Sequence, residues 1–500
     1  FKLAYDKKRG AHIHIRRGTY NVSSASPIAV GPNTTITGEG KGATIINLIG
    51  SDTQAGSTPN YFVIRDYYEN YADAGATFDQ ILCSNISFKD LSIRSTNTAG
   101  NTFSSHNYGY PLISNVPLSF YTSPGVIDNT VNPGQGFWRP SGAFGTSPVE
   151  NFKLETVELL GGGHGDYLRG TDVTYSVYLL TSEANNKWQF INTDITFKGC
   201  TFDTHRGGTA ILKGCRKVLV DGCEFRNKAP VDGVADGGAY APLEGITFAS
   251  VANRDAVYYD NPNTVNSDGD VLITNCSFLG QLYEAPGSAT YPSFDRAWVT
   301  FTPSYKGQNV EISSCIFRGD LIGDAGTTSV VGPRASSSIY GHTGTAKRGV
   351  GVLNCSPFDI KGSDCNFHTL ERGVKTQIGL VNVSGCNFWN MNIAVLMRPE
   401  IMADINNYTR FGDVVSDQNF WNAENGYFGQ STITDEPATY TRLIASNNTF
   451  MYCANGVVVG LYPHIVSDYE NQSKSSICIE GSYFEGCSSA INWDIAKNKL

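Results

Sequence analysis

Charge is scarce in this sequence. Asp, Glu, Lys and Arg make up 17% of the 500 residues, and the formal net charge is -9. A nucleic-acid binder needs a clustered basic surface, and an acidic net charge points away from that class. No apolar run is long enough to cross a bilayer as a helix, so no membrane insertion is expected. The 12 cysteines contain no Cys-x-x-Cys pair and do not cluster with histidines as zinc ligands do, which argues against structural zinc. The stretch "GTAKRG" around Lys347 lacks the spacing of a phosphate loop. The first residue is Phe1, and an N-terminal segment ahead of it is expected; a signal peptide is neither read nor excluded.

The cysteines are instead tied to one phrase. Cys200, Cys223, Cys276, Cys315, Cys365 and Cys386 each precede a Phe by two residues. A residue type fixed at one place in a repeat packs there, and a reduced, buried Cys behaves as a small apolar residue. This points to folding in a reducing cytoplasm. The phrase itself recurs as "ISFKDLSI" from Ile86, "ITFKGCTF" from Ile195, "VLVDGCEF" from Val218, "VLITNCSF" from Val271 and "VEISSCIF" from Val310. It continues as "IKGSDCNF" from Ile360, "VNVSGCNF" from Val381, "LIASNNTF" from Leu443 and "ICIEGSYF" from Ile477.

Alternating apolar residues make a strand with one buried face; Gly, Asn, Asp or Ser then bends the chain, and a second short strand starts at Cys-x-Phe. The shortest intervals are 23 residues (200 to 223) and 21 (365 to 386). Propeller blades need a longer period and leucine-rich repeats a Leu consensus. One rung per short interval, stacked at about 4.8 Å, describes a parallel β-helix in which Cys lies on Cys and Phe on Phe, with Asn275, Asn387 and Asn447 laddering near the bends. The longer intervals hold two rungs or carry insertions, placed at 98–148, 228–268, 280–308 and 319–356. Long loops on a rigid scaffold are where binding surfaces usually lie.

The stretch "AHIHIRRGTYNVSSASPIAVGPNTTITGEGKGATII", residues 11–46, adds a resemblance. It is similar to the opening of the pectate-lyase-like right-handed β-helix superfamily through Gly18, Thr19, Tyr20, Asn33, Gly38, Gly40, Thr44, Ile45 and Ile46. "FKLAYDKKRG" before it resembles the end of the amphipathic helix that caps such cylinders. The resemblance implies an all-β, right-handed, single-stranded parallel β-helix (a solenoid) with loop insertions: a cap helix ending within residues 1–10, then the helix domain over 11–500. Within the superfamily the chain most resembles a bacteriophage tailspike depolymerase. That implies a homotrimer on a phage tail or baseplate, folded in the host cytoplasm and acting outside the cell on capsule or O-antigen polysaccharide.

Alignment of three segments on their first strand locates candidate chemistry. "FKLETVELLGGGHGD" from Phe152, "ITFKGCTFDTHRGGT" from Ile195 and "VLVDGCEFRNKAPVD" from Val218 put Cys200 beside Val157 and Cys223. The same alignment puts Asp203 beside Leu160 and Arg226, and His205 beside Gly162 and Lys228. His164, Asp166, Tyr167 and Arg169 follow the glycine run, and Arg206 follows His205. A glycosidase needs one carboxylic acid to protonate the leaving oxygen and one carboxylate to attack or to activate water, roles that suit Asp166 and Asp203. A lyase or epimerase needs a base beside a uronate carboxylate and a cation for the enolate-like charge, which suits His205 or His164 with Arg206. "DTHR" faintly resembles the Asp-x-His motif of alginate epimerases, although Cys200 stands where those carry Tyr.

Each candidate also has a plain structural account. Asp203 can cap a bend by accepting backbone N–H groups, and Arg206 can ladder with Arg226 and Lys228. Asp236, Tyr240 and Glu244 can line a sugar groove, or Asp236 can belong to a Gly/Asp turn cluster. Asp268 and Asp270 are a possible calcium pair, though two such carboxylates before a strand usually form a turn, so no metal and no cofactor is assigned. Tyr67, Tyr68, Tyr71, Tyr108, Tyr110, Phe137 and Trp138 can stack on sugars or pack loops. The expected activity is hydrolysis of a bacterial surface polysaccharide by paired carboxylates. A uronate lyase or epimerase, and a non-catalytic receptor-binding spike, are the alternatives.

Overall fold

A computed structural model describes residues 6, 8–22, 27–50, 61–67, 82–97, 112–115, 126–127, 138–139, 147–160, 176–179, 192–204, 207–213, 215–227, 242–249, 269–280, 297–301, 309–319, 350–354, 360–370, 372–376, 379–397, 441–461 and 476–495. The chain divides into two compact units: Phe1–Pro242 with Asn253–Asp268, and Leu243–Ala252 with Gly269–Leu500. Each is a stack of parallel rungs, a parallel β-helix.

In the first unit, one sheet runs from Ala11–His14 through Thr34–Thr37, the first half of Cys83–Asn97, Val149–Leu160, Asn192–Lys198 and Cys215–Asp221. After a bend, the same rungs continue into a second sheet. It joins Gly18–Val22, Thr44–Gly50, the ends of Cys83–Asn97 and Val149–Leu160, Thr201–Thr204 and Glu224–Asn227. A third sheet holds Ile28–Val30, Phe62–Ile64, Ile113–Ser114, Val177–Leu179 and Gly207–Lys213. The second unit repeats the plan. Its first sheet includes Gly269–Thr274 and Val310–Ser313, its second Ser277–Leu279 and Ile316–Arg318, and its third Ala297–Phe301 and Val350–Asn354. Strands of the third sheet occupy part of the predicted insertions. Pro242–Ala249 falls inside 228–268, Ala297–Phe301 inside 280–308 and Val350–Asn354 inside 319–356.

The expected columns form the core. In the second unit Phe278, Phe317, Phe367, Phe388, Phe450 and Phe484 stack with successive ring centroids 4.6, 4.7, 4.8, 5.0 and 4.6 Å apart. That spacing is the separation of hydrogen-bonded strands, so each ring meets its copy one rung away, nearly parallel. Phe202 lies on Phe225 in the first unit, at 4.7 Å. Cys200, Cys223, Cys276, Cys315, Cys365 and Cys386 are all buried, and every described cysteine is free of disulfides.

Bends need a residue that tolerates the left-handed backbone, and here they recur at fixed register. Asn33, Asn85, Asn151, Asp194 and Lys217 hold φ between 53° and 57°. Asn85 Nδ2 donates to Asn33 Oδ1 at 2.8 Å and Asn151 Nδ2 to Asn85 Oδ1 at 2.7 Å. Asn275 and Asn447 occupy such bends as well, whereas Asn387 stands on a strand and donates to Asn366 Oδ1 at 3.0 Å. The expected cap helix is not seen among the described residues of 1–10: Asp6 is helical, and Lys8 and Arg9 form a turn and a bend.

Candidate functional site

The second sheet of the first unit carries two adjacent rows. The register sets Ser92, Glu158, Thr201 and Glu224 side by side, and two residues further along Arg94, Leu160, Asp203 and Arg226. Between the rows Leu159, Phe202 and Phe225 are buried in the core, so strand alternation turns the row residues the other way. The predicted juxtaposition of Asp203 with Leu160 and Arg226 is therefore present.

Arg226 organises the charges. Its Nε donates to Asp203 Oδ2 at 3.1 Å, its Nη1 donates to Glu224 Oε1 at 3.0 Å, and its Nη2 lies 4.0 Å from Glu158 Oε1. Glu158 is shared: Arg94 Nη2 lies 3.7 Å from its Oε2, and Ser92 Oγ donates to that oxygen at 2.6 Å. Two guanidinium groups thus thread three carboxylates. Asp203 is 0% exposed, whereas the side chains of Glu224 and Arg226 are 40% and 30% exposed. A buried carboxylate needs its partner cation, since isolated burial of the charge is costly. Asp203 therefore belongs to a strand-to-strand ion pair with Arg226.

The glycine-rich turn of the N-terminal stretch borders this row. Gly42 N donates to Ser92 Oγ at 2.8 Å, and Lys41 Nζ donates to Gly199 O at 2.6 Å and Thr201 Oγ1 at 3.1 Å. Gly38 allows the close approach, because a Cβ there would collide with the Asp90 carbonyl. The resemblance motif thus has a local physical purpose: it lays a lysine and a backbone N–H along the carboxylate row.

Among the sequence-predicted residues, Asp203 and Arg226 meet here. His164, Asp166, Tyr167, Arg169, His205, Arg206, Lys228, Asp236 and Tyr240 lie outside the described residues, and Glu244 is described only as part of the strand Pro242–Ala249. Asp268 is likewise outside; Asp270 sits at a positive-φ bend and accepts from Asn309 Nδ2 at 2.7 Å. Tyr67 donates from its hydroxyl to Pro32 O at 2.7 Å and its ring covers Gly31, a packing use. Sequence reasoning missed Glu158, Glu224, Arg94 and Lys41. For Glu158, Glu224 and Arg94 the signal is register: each stands one rung from a residue of opposite or hydrogen-bonding character; Lys41 lies in a turn outside the register.

No protein-family model matches the chain, and no curated protein matches it. Similar solved structures include the A-module of the mannuronan C-5 epimerase AlgE4 from Azotobacter vinelandii, at 11% identity and a TM-score of 0.41 over 99% of this chain and 93% of that one. The catalytic domain of a GH87 alpha-1,3-glucanase in complex with nigerose matches at 10% identity and a TM-score of 0.39 over 98% of this chain. This chain spans less than two thirds, 64%, of that structure's length. The surface protein and adhesin PfbA of Streptococcus pneumoniae matches at 13% identity and a TM-score of 0.38, over 99% of this chain and 94% of that one. A fold does not by itself give a function, so function has to be argued from the site.

Proposed function

We propose that this chain is a polysaccharide depolymerase of the tailspike type that hydrolyses a bacterial capsule or O-antigen glycan beside the Arg226 row. The observation that carries the proposal is Arg226 holding Asp203, Glu224 and Glu158 together on one flank. Glycan hydrolysis asks for one ionised carboxylate and one proton donor on opposite sides of the scissile bond. Glu224 is the most exposed carboxylate of the cluster and takes the ionised role. Asp203 is the positioning residue that fixes Arg226. The proton donor comes from Asp166 or His164, in the segment that follows the strand end at Leu160. His205 and Arg206, directly after Thr201–Thr204, complete the sugar-facing group, with Tyr167, Arg169, Lys228, Asp236, Tyr240 and Glu244 as binding residues. The same proposal sets the protein on a phage tail or baseplate as a homotrimer.

A screen on purified bacterial surface polysaccharides, with mass analysis of the products, tests it. Fragments heavier by one water each are expected, and Glu224→Gln or Asp166→Asn is expected to lower the rate by about a hundredfold or more. Fragments without added water, with ultraviolet absorbance of an unsaturated uronate, would make the protein a lyase. Glycan that binds and is never shortened would make it a receptor-binding spike.

A further inference from the structure

The second unit carries a different surface, on which exposed aromatic rings stand beside the second sheet. Its second sheet ends in a row whose register is Arg318, His368, Trp389, Met451 and Glu485. Two large rings beside it face solvent: Tyr452 is 52% exposed and Tyr483 57%. The two rings share one hydrogen-bond partner. Tyr452 donates its hydroxyl to Glu485 Oε1 at 3.3 Å and Tyr483 to Glu485 Oε2 at 3.2 Å. One carboxylate thus aligns both rings. The Tyr452 ring also lies over Gly486, where an added Cβ would stand 2.6 Å from its Cδ1, and Gly486 has the positive φ of 62° that favours glycine.

The surroundings suit one kind of ligand. Trp389 is half-buried, with its ring centroid 4.0 Å from that of His368, so the apolar stripe continues from the tyrosines across neighbouring rungs. Asn366 and Asn387 are exposed in the adjacent row and linked by their amides, presenting donors and acceptors at rung spacing. Rigid ring faces take the CH faces of pyranose rings, and side-chain amides take hydroxyl groups. Charge supplies little here: Glu485 is engaged by two hydroxyls, and Arg318 is the cation of the row. A polyanion would gain little on this surface, and the Arg226 cluster, with its many charges, has the opposite chemistry.

We propose that Trp389, Tyr452 and Tyr483, aligned by Glu485 and flanked by Asn366 and Asn387, form a glycan-binding platform for a neutral polysaccharide that is separate from the Arg226 row. The platform binds without cleaving, and its function is to hold polymer.

Affinity electrophoresis of the full chain in gels containing dextran, a mixed-linkage β-glucan or a galactomannan tests the platform, with polygalacturonate as the charged control. At least one neutral polymer is expected to retard the protein. Tyr452→Ala with Tyr483→Ala is expected to weaken that retardation about tenfold or more, whereas the paired Tyr→Phe variant, which keeps both rings, retains most of it. Glu224→Gln is expected to leave the retardation unchanged, which separates this platform from the proposed cleavage site. The proposal is overturned if no neutral polymer retards the protein, or if the double Ala variant binds as the parent does. It is also overturned if polygalacturonate binds as tightly as the neutral polymers, or if Glu224→Gln alone abolishes binding.

Discussion

Asn448 stands one rung from Cys386, in the place that the four preceding rungs of the second unit give to cysteine. Its Oδ1 accepts from Cys386 N at 2.9 Å, and its Nδ2 donates to Val383 O at 2.9 Å, with the side chain 1% exposed. Elsewhere in the columns the cysteine sulfur does part of this work: Cys223 Sγ lies 3.4 Å from Cys200 N, and Cys386 Sγ 3.4 Å from Cys365 N. The column is therefore a file of acceptors for backbone N–H groups at the bend, and cysteine is one side chain that fits it.

A substitution series at this position separates packing from hydrogen bonding. Asn448→Ala leaves the Cys386 N–H and the Val383 carbonyl without the amide, at a cost of about 1–3 kcal/mol for each group left unsatisfied. Asn448→Cys restores the acceptor found in the neighbouring rungs and should lose less than half as much. Denaturant midpoints of the two variants check this; equal losses would show that the acceptor is irrelevant.

The thiols divide by exposure. Cys83, Cys200, Cys215, Cys223, Cys276, Cys315, Cys365, Cys386 and Cys453 are buried, Cys478 is exposed and Cys487 intermediate. Burial pushes the Cys83 thiol well above its ordinary value, with the nearby Asp66 adding to the shift, and pushes Cys453 up to about 12. Thiolate is the reactive form, so these groups resist alkylation twice over, by access and by protonation. Among the described cysteines, iodoacetamide on the native protein at pH 8 should label Cys478 first and Cys487 next, with Cys83 and Cys453 labelled only after unfolding. Peptide mapping by mass spectrometry reads the order, and early labelling of Cys453 would contradict it.

Removing one end of the Arg226–Asp203 pair should be asymmetric. Arg226→Ala leaves a buried carboxylate without its cation, at a cost of about 3–5 kcal/mol. Asp203→Asn keeps the shape, removes the buried charge and frees Arg226 to lean on Glu158 and Glu224, so its cost should be smaller, about 1–2 kcal/mol. Thermal and denaturant unfolding of both variants, with the double variant closing the cycle, measures the coupling. Equal effects of the two single changes would mean that burial of Asp203 is not what makes the pair matter.

What was legible in the sequence follows from how each element is buried. First and second strands have one face in the core and one outside, so Ile195–Phe197 or Val271–Ile273 alternate visibly and the Cys-x-Phe after each bend repeats. The third sheet gives no such pattern. Phe62–Ile64, Ala297–Phe301 and Val350–Asn354 are buried throughout their length, so nothing alternates, and short apolar runs inside Gly- and Ser-rich stretches look like loop. Asp203 and Arg226 could be paired because both rungs carry the Cys-x-Phe mark that fixes register. Glu158 sits in "LETVELL", where Val157 replaces the cysteine and Leu159 the phenylalanine, and an outward Glu there resembles any solvated strand residue. Arg94 is harder still, since its link to the cluster runs through Glu158 alone among the described ion pairs.

The asparagine ladder of the first unit gives the sharpest test of the bends. Asn85 has φ 57° and stands between Asn33 and Asn151, donating to one and accepting from the other. Two effects are combined in that residue: tolerance of the left-handed backbone and the side-chain chain of amides. Asn85→Gly keeps the first and removes the second; Asn85→Ala removes both. The left-handed conformation costs an ordinary L residue about 1–2 kcal/mol, and an exposed amide bond contributes about 0.5–1 kcal/mol. Asn85→Ala should therefore destabilise the protein by more than Asn85→Gly, with the backbone conformation as the larger share. If the Gly variant is as unstable as the Ala variant, the amide ladder outweighs the dihedral preference, and the repeat of Asn at these bends is set by side-chain stacking.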